Sequence, residues 1–92
     1  MNQIDEMRKK IDAIDEQILQ DLLERIEVCR VIGELKRQQG KPIQDRSRET
    51  HVFSKVKAQA EQLRLDPDQI ERIYREIVNM CSNVQQERLN ER

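Results

Sequence analysis

Arg25 lies one heptad after Ile18 and one before Ile32, and Lys36 lies one heptad after Cys29 and one turn after Ile32. At 100° per residue both cations fall on the apolar stripe of a helix. Arg8 sits at the edge of the same stripe, beside Met7 and Ile11. One such residue is ordinarily a snorkelling side chain, with its stem buried and its head in water. Two within three turns are harder to dismiss, because an unpaired buried cation costs several kcal/mol. Something anionic is expected to meet them, either internal carboxylates or a ligand. Further along, Asp45, Arg48 and Glu49 cluster where a second helix starts. A capping aspartate and a dipole-favoured glutamate are routine there, but an arginine in the first turn is mildly unfavourable. Gln85 follows Val78 by one heptad and Cys81 by one turn, which puts an amide on an inner helical face, where it needs partners.

A site rich in arginine suits a planar dianion, since the guanidinium fork matches carboxylate geometry. The residues offer little else. Ser47, Ser54 and Ser82 have no histidine partner nearby, and His51 stands alone, so no nucleophile–base pair is legible. Cys29 and Cys81 form no CxxC motif, and one histidine adds too little for a zinc site. The residues alone therefore point to binding of a small dicarboxylate, without metal, and do not name a reaction.

Three helices are expected to position these groups. Between Gln3 and Gln39 the only weak helix former is Gly33, and there is no proline. Ile4, Met7, Ile11, Ile14, Ile18, Leu22, Cys29, Ile32 and Leu35 recur at gaps that keep to one face. Gly40 and Pro42 then stop the helix. The second helix is predicted over about 46–64, capped by Asp45 or Ser47, with Val52, Phe53, Val56, Ala60 and Leu63 facing inward. Asp66-Pro67 opens the third, predicted over about 67–88, with Gln69 placed to complete a capping box. Its inner face is Ile70, Ile73, Ile77, Cys81 and Val84, and residues 89–92 are expected to fray.

The first helix carries the architectural argument. At ~1.5 Å per residue it is roughly 55 Å long. A compact chain of this size has a radius of gyration near 12 Å and is only about 30 Å across. The rest of the chain is too small to cover such a stripe. The predicted fold class is therefore all-α, with three helices per chain, one of them very long. Two chains are expected to intertwine as a helical-bundle homodimer.

Composition agrees with a single small domain over residues 1–92. Charged residues make up 38% and aromatics 2%, which favours amphipathic helices over strands. The net charge is -1, from 17 Lys+Arg against 18 Asp+Glu, so nothing in bulk attracts nucleic acid or an anionic membrane. No apolar run resembles a secretory signal or a membrane span, and a cytoplasmic protein is expected, with both cysteines as free, largely apolar thiols.

The combined pattern resembles the all-helical chorismate mutases. The resemblance lies in Met7-Arg8-Lys9-Lys10-Ile11-Asp12-Ala13-Ile14-Asp15, Leu23-Glu24-Arg25 and Ile32-Gly33-Glu34-Leu35-Lys36. It continues through Pro42-Ile43-Gln44-Asp45-Arg46-Ser47-Arg48-Glu49 and Gln85, and so covers essentially the whole chain. The family converts chorismate to prephenate, a Claisen rearrangement on the route to phenylalanine and tyrosine, without a cofactor. The resemblance implies that Arg8, Arg25 and Arg48 hold the two carboxylates, with Arg8 supplied by the other subunit. It implies that Lys36 and Gln85 hydrogen-bond the ether oxygen. Glu49, with the backbone near Asp45, would hold the ring hydroxyl, and Ile32 and Val78 would pack against the ring.

One position departs from the family's pattern. Cys81 stands where a serine is common, and a thiol is a poor donor. Cys81 is expected only to line the site, and Ser82 to point elsewhere. Two other readings compete. A relative of the same fold could act on isochorismate or aminodeoxychorismate, although Glu49 suits the hydroxyl of chorismate. A non-catalytic helical dimerisation module would leave the inward cations and Gln85 unexplained.

Overall fold

The computed structural model describes residues 2–90, with side chains for residues 2–87. It consists of α1 (Gln3–Gln39), α2 (Arg46–Gln62) and α3 (Pro67–Asn90), with no strand among the described residues. Local chemistry sets each boundary. Asn2 caps α1 by accepting from the Ile4 backbone N–H at 2.9 Å. Asp5 and Glu6 lie in the first turn and Lys36 and Arg37 in the last, each complementing the helix dipole. Gly40 closes α1 at φ 68°, a left-handed conformation that glycine adopts without strain, and Lys41 N–H returns to the Lys36 carbonyl at 2.8 Å.

Asp45, rather than Ser47, caps α2, accepting from Arg48 N–H at 3.0 Å. The helix stops at Gln62, two residues short of the sequence expectation. Arg64 turns left-handed at φ 61°, and Leu65 N–H closes on the Ala60 carbonyl at 2.9 Å. Asp66 caps α3 through Asp68 N–H at 2.9 Å and Gln69 N–H at 3.3 Å. This helix remains regular through Asn90, past the expected end at 88. Of the residues expected to fray, Glu91 and Arg92 lie outside the described residues.

α3 packs against both α1 and α2, and α1 does not pack on α2. Cys29 pairs with Cys81 and Gly33 meets Gln85, so α1 and α3 run in the same direction. α2 runs the other way: Lys57 reaches Glu71 at 3.2 Å, and the guanidinium of Arg75 lies 4.5 Å from the centre of the Phe53 ring. Arg75 also donates to Glu71 from Nε at 2.9 Å. Hydrogen bonds from Arg75 and then Lys57 hold the Glu71 carboxyl below its usual range, and the bond to Glu71 holds the Lys57 ammonium above its own.

Two expectations about these elements are corrected. Cys29 and Cys81 are not free thiols: they form a disulfide between α1 and α3 across a Cα–Cα distance of 5.5 Å. They lie 52 residues apart in the chain, and only the parallel packing of α1 on α3 brings them face to face. Ile73 and Leu63, assigned to inner faces, are exposed. Ile73 lies about 80° round α3 from Cys81 at 100° per residue, at the margin of the packed face. Leu63 falls beyond the last turn of α2, where the chain has already left the helix.

The molecule measures 58 × 29 × 14 Å, with a radius of gyration of 16.7 Å, far more extended than a compact chain of its length. Among the described residues few side chains are buried: Cys29, Val56, Ala60, Cys81 and Gln85. In the N-terminal half of α1, Ile4, Met7, Ile11, Ile14 and Ile18 are all at least half exposed, the lowest being Met7 at 50%.

Arg64 offers a direct test of the α2 boundary. A side chain in the left-handed region costs about 1–2 kcal/mol, and the extra freedom of glycine in the unfolded chain offsets roughly 0.4–1 kcal/mol of any relief. Arg64→Gly is expected to raise the thermal midpoint by a few degrees in a circular-dichroism melt. A lower midpoint would mean that the arginine side chain contributes more than its backbone strain costs.

Candidate functional site

All three helices and the α1–α2 loop wall a cavity of about 480 Å³. α1 contributes Arg25, Val28, Cys29, Ile32 and Lys36, spaced so that each turn adds to one face. The start of α2 contributes Asp45, Arg48, Glu49 and Val52, and α3 contributes Val78, Cys81, Ser82 and Gln85. Ile43 closes the loop side. Nine of the ten residues singled out in the sequence thus meet here: Arg25, Ile32, Lys36, Asp45, Arg48, Glu49, Val78, Cys81 and Gln85.

The tenth, Arg8, does not reach this cavity. It is exposed and lies 3.7 Å from Asp5, about 42 Å along α1 from Lys36. A straight helix cannot bring both ends to one small ligand, so within a single chain Arg8 is remote from the other cations.

Lys36 shows how the inward charge is held. Its ammonium donates to the Ile43 carbonyl at 2.5 Å and to Gln85 Oε1 at 3.2 Å. Of its three N–H donors, two are thereby used within the protein. Gln85 is only 6% exposed, and its oxygen is taken by Lys36, so what it has to offer a ligand is its amide N–H₂. Arg25 points Nη1 at Cys81 Sγ, 2.6 Å away. A disulfide sulfur is a weak, uncharged acceptor, which leaves the guanidinium charge without a carboxylate partner at that atom. Asp45 spends one carboxylate oxygen on the α2 cap, while Glu49, half-buried, lines the cavity from the first turn of α2.

The cavity is thus cationic at Arg25, Lys36 and Arg48, carries a carboxylate at Glu49, and is apolar at Val28, Ile32, Val52 and Val78. Such a lining suits a small anion with an apolar body and one hydroxyl to satisfy Glu49. Among the described residues, no group of three or more His, Cys, Asp or Glu is placed to hold a metal ion.

Sequence reasoning missed three features of the site. Ile43 was not singled out, although its carbonyl anchors Lys36; backbone acceptors leave no side-chain signature. Ser82 was expected to point away, yet it lines the cavity. It stands four residues after Val78 and three before Gln85, so it shares the edge of their face. Finally, Cys81 has no thiol to offer a ligand, because it is half of the disulfide with Cys29.

Fold and site together define an all-helical protein with a cationic, partly apolar cavity for a small molecule. Residues 7–86 match the family model for chorismate mutase type II, and the chain belongs to that family. It is 30% identical over 86 residues to a chorismate mutase of Methanocaldococcus jannaschii, covering 94% of this chain and 87% of that protein. It is 35% identical over 94 residues to a bifunctional chorismate mutase/prephenate dehydratase of Aquifex aeolicus, covering 92% of this chain but 24% of the relative. A T-protein of Enterobacter agglomerans is 33% identical over 72 residues, again with only 19% of its length covered. The chain thus spans about a quarter or less of these two longer relatives. No helix among the described residues is long and apolar enough to cross a membrane.

Proposed function

We propose that this chain is a chorismate mutase domain, active as an intertwined homodimer, that rearranges chorismate to prephenate. The observation that carries the reading is the Lys36–Gln85 contact at 3.2 Å inside a cavity that also holds two arginines and Glu49. A Claisen rearrangement moves electrons within one molecule and needs no acid, base or nucleophile from the protein. The work of the site is positioning and electrostatic stabilisation.

In this mechanism Arg25, Arg48 and the partner subunit's Arg8 clamp the two carboxylates and select the folded conformer in which the reacting carbons approach. Ile32 and Val78 pack against the ring. Glu49, with the backbone near Asp45, accepts from the ring hydroxyl. As the C–O bond breaks, negative charge gathers on the ether oxygen. The remaining N–H of Lys36 and the amide N–H₂ of Gln85 meet it, already held in place by the Ile43 carbonyl and by each other.

The exposed stripe of α1 supports the homodimer. Ile4, Met7, Ile11, Ile14 and Ile18 form a continuous apolar face that this chain leaves uncovered, and pairing two such helices would bury it. The pairing also gives Arg8 a role, since only a partner's N-terminal half could approach this cavity. A guanidinium from the second chain would then join Arg25, Lys36 and Arg48 around an anionic ligand. The near-neutral charge balance fits a small-molecule substrate, with no nucleic acid or membrane partner.

Loss of chorismate absorbance on adding the purified chain, in the presence of a metal chelator and without nucleotide, tests the activity directly. Dependence on a divalent ion, or no turnover, would overturn the reading. Gln85→Glu is expected to convert a flat pH profile into one that falls as pH rises. A glutamate there donates to the ether oxygen only while protonated, and once ionised it repels the developing charge. Equal kcat/KM at pH 5 and pH 8, with folding verified, would remove Gln85 from the breaking bond. For Arg8, chains carrying Arg8→Ala and Lys36→Ala are unfolded together and refolded as mixed dimers. Each mixed dimer should regain one intact site and one doubly damaged site. Heterodimers that form but remain inactive would show that the site is not shared.

A further inference from the structure

We propose that Gly33 is a positioning residue for Gln85: the side chain it lacks is what lets α3 seat on α1 at the level where Gln85 meets Lys36. The inference rests on the reading of Lys36 and Gln85 as the donors to the ether oxygen.

Gly33 lies in the interior of α1, where glycine is less favourable than alanine by roughly 0.5–1 kcal/mol. Its backbone does not require glycine, since the glycine with positive φ is Gly40. Space does. A Cβ at position 33 would stand 3.0 Å from Gln85 Cγ, 3.1 Å from its Cβ and 3.2 Å from its Cα. All three are tighter than ordinary carbon–carbon contact at about 3.5–4.0 Å. A rotation of the Gln85 side chain could relieve the first but not the last two. The Cα belongs to the α3 backbone, so a methyl group at 33 has to push the helix itself back by a few tenths of an ångström.

That displacement falls where it does most harm. The Lys36–Gln85 bond is 3.2 Å, already at the outer end of the usual 2.7–3.2 Å range for N–H···O. Gly33 is three residues before Lys36, so the seat for α3 and the ammonium lie on one strip of α1. One turn earlier on both helices, the Cys29–Cys81 disulfide holds α1 to α3. The helices cannot separate evenly, and the retreat concentrates at Gln85.

Gly33→Ala in the full chain is expected to leave the fold and KM close to wild type and to lower kcat by about tenfold, the scale of a sub-ångström misplacement. Introduced into Gln85→Ala, the same substitution should change kcat less than twofold, because the donor it displaces is already gone. Equal losses in both backgrounds would make Gly33 a general packing position and overturn the proposal. A second readout needs no substrate: the Gln85 side-chain amide signals in a ¹H–¹⁵N spectrum, assigned by their loss in Gln85→Ala, should shift in Gly33→Ala. Unmoved signals would overturn the geometry even if the enzyme is active. A wild-type chain that leaves chorismate untouched would instead refute the function while these signals still report on Gly33. If Gly33→Ala does not fold, it is made in a Cys29→Ala/Cys81→Ala chain, where α3 is free to retreat, and compared with that parent. Failure to fold there too would assign Gly33 to folding and overturn the proposal.

Discussion

Lys36 keeps an ammonium group between two helices by giving it neutral oxygen acceptors, the Ile43 carbonyl and the Gln85 amide oxygen. A carboxylate in either place would neutralise the charge and leave nothing for an anionic ligand. Neutral dipoles orient the group and leave its charge in force. Much of the cavity follows from this arrangement. The α1–α2 loop must end α1 sharply enough to bring Ile43 back over Lys36, which Gly40 permits. α3 must lie close enough to α1 for Gln85 to reach, which Gly33 permits. Gln85, with its oxygen committed, has its N–H groups to present to a ligand.

The same economy appears at Arg25, which faces the uncharged Cys81 sulfur. The disulfide removes a thiol that could ionise beside the guanidinium and compete for its charge. It also joins the two cavity walls at their midpoint. Arg25 and Lys36 are therefore supported by groups that do not titrate away their charge, while Asp45 caps α2 and Glu49 is left to line the cavity, where we propose that it holds a hydroxyl.

This arrangement has a structural cost. The chain buries few of its own side chains and extends to 58 Å, because α1 is far longer than the elements that cover it. An apolar stripe left open over the N-terminal half is costly for a lone chain and useful for a paired one. In the proposed dimer the same length that exposes the stripe carries Arg8 away from its own cavity and toward the partner's. Stability and completion of the site then depend on a single contact surface.

Much of this was legible in the sequence, because helical periodicity is a local property. The spacing of Arg25, Ile32 and Lys36 on α1, of Asp45, Arg48 and Glu49 at the start of α2, and of Val78, Cys81 and Gln85 on α3 follows from 3.6 residues per turn. The caps at Asp45, Asp66 and Gly40 follow from side-chain and backbone chemistry within a few residues. What only the tertiary structure decided is where those faces touch. The Cys29–Cys81 disulfide, the Ile43 carbonyl under Lys36, the place of Ser82 in the lining and the contact of Gly33 with Gln85 all depend on the offset and closeness of α3 against α1. No local pattern encodes that offset. It is set by which side chains are small enough, or absent, at the point of contact, and that is a property of two distant segments at once.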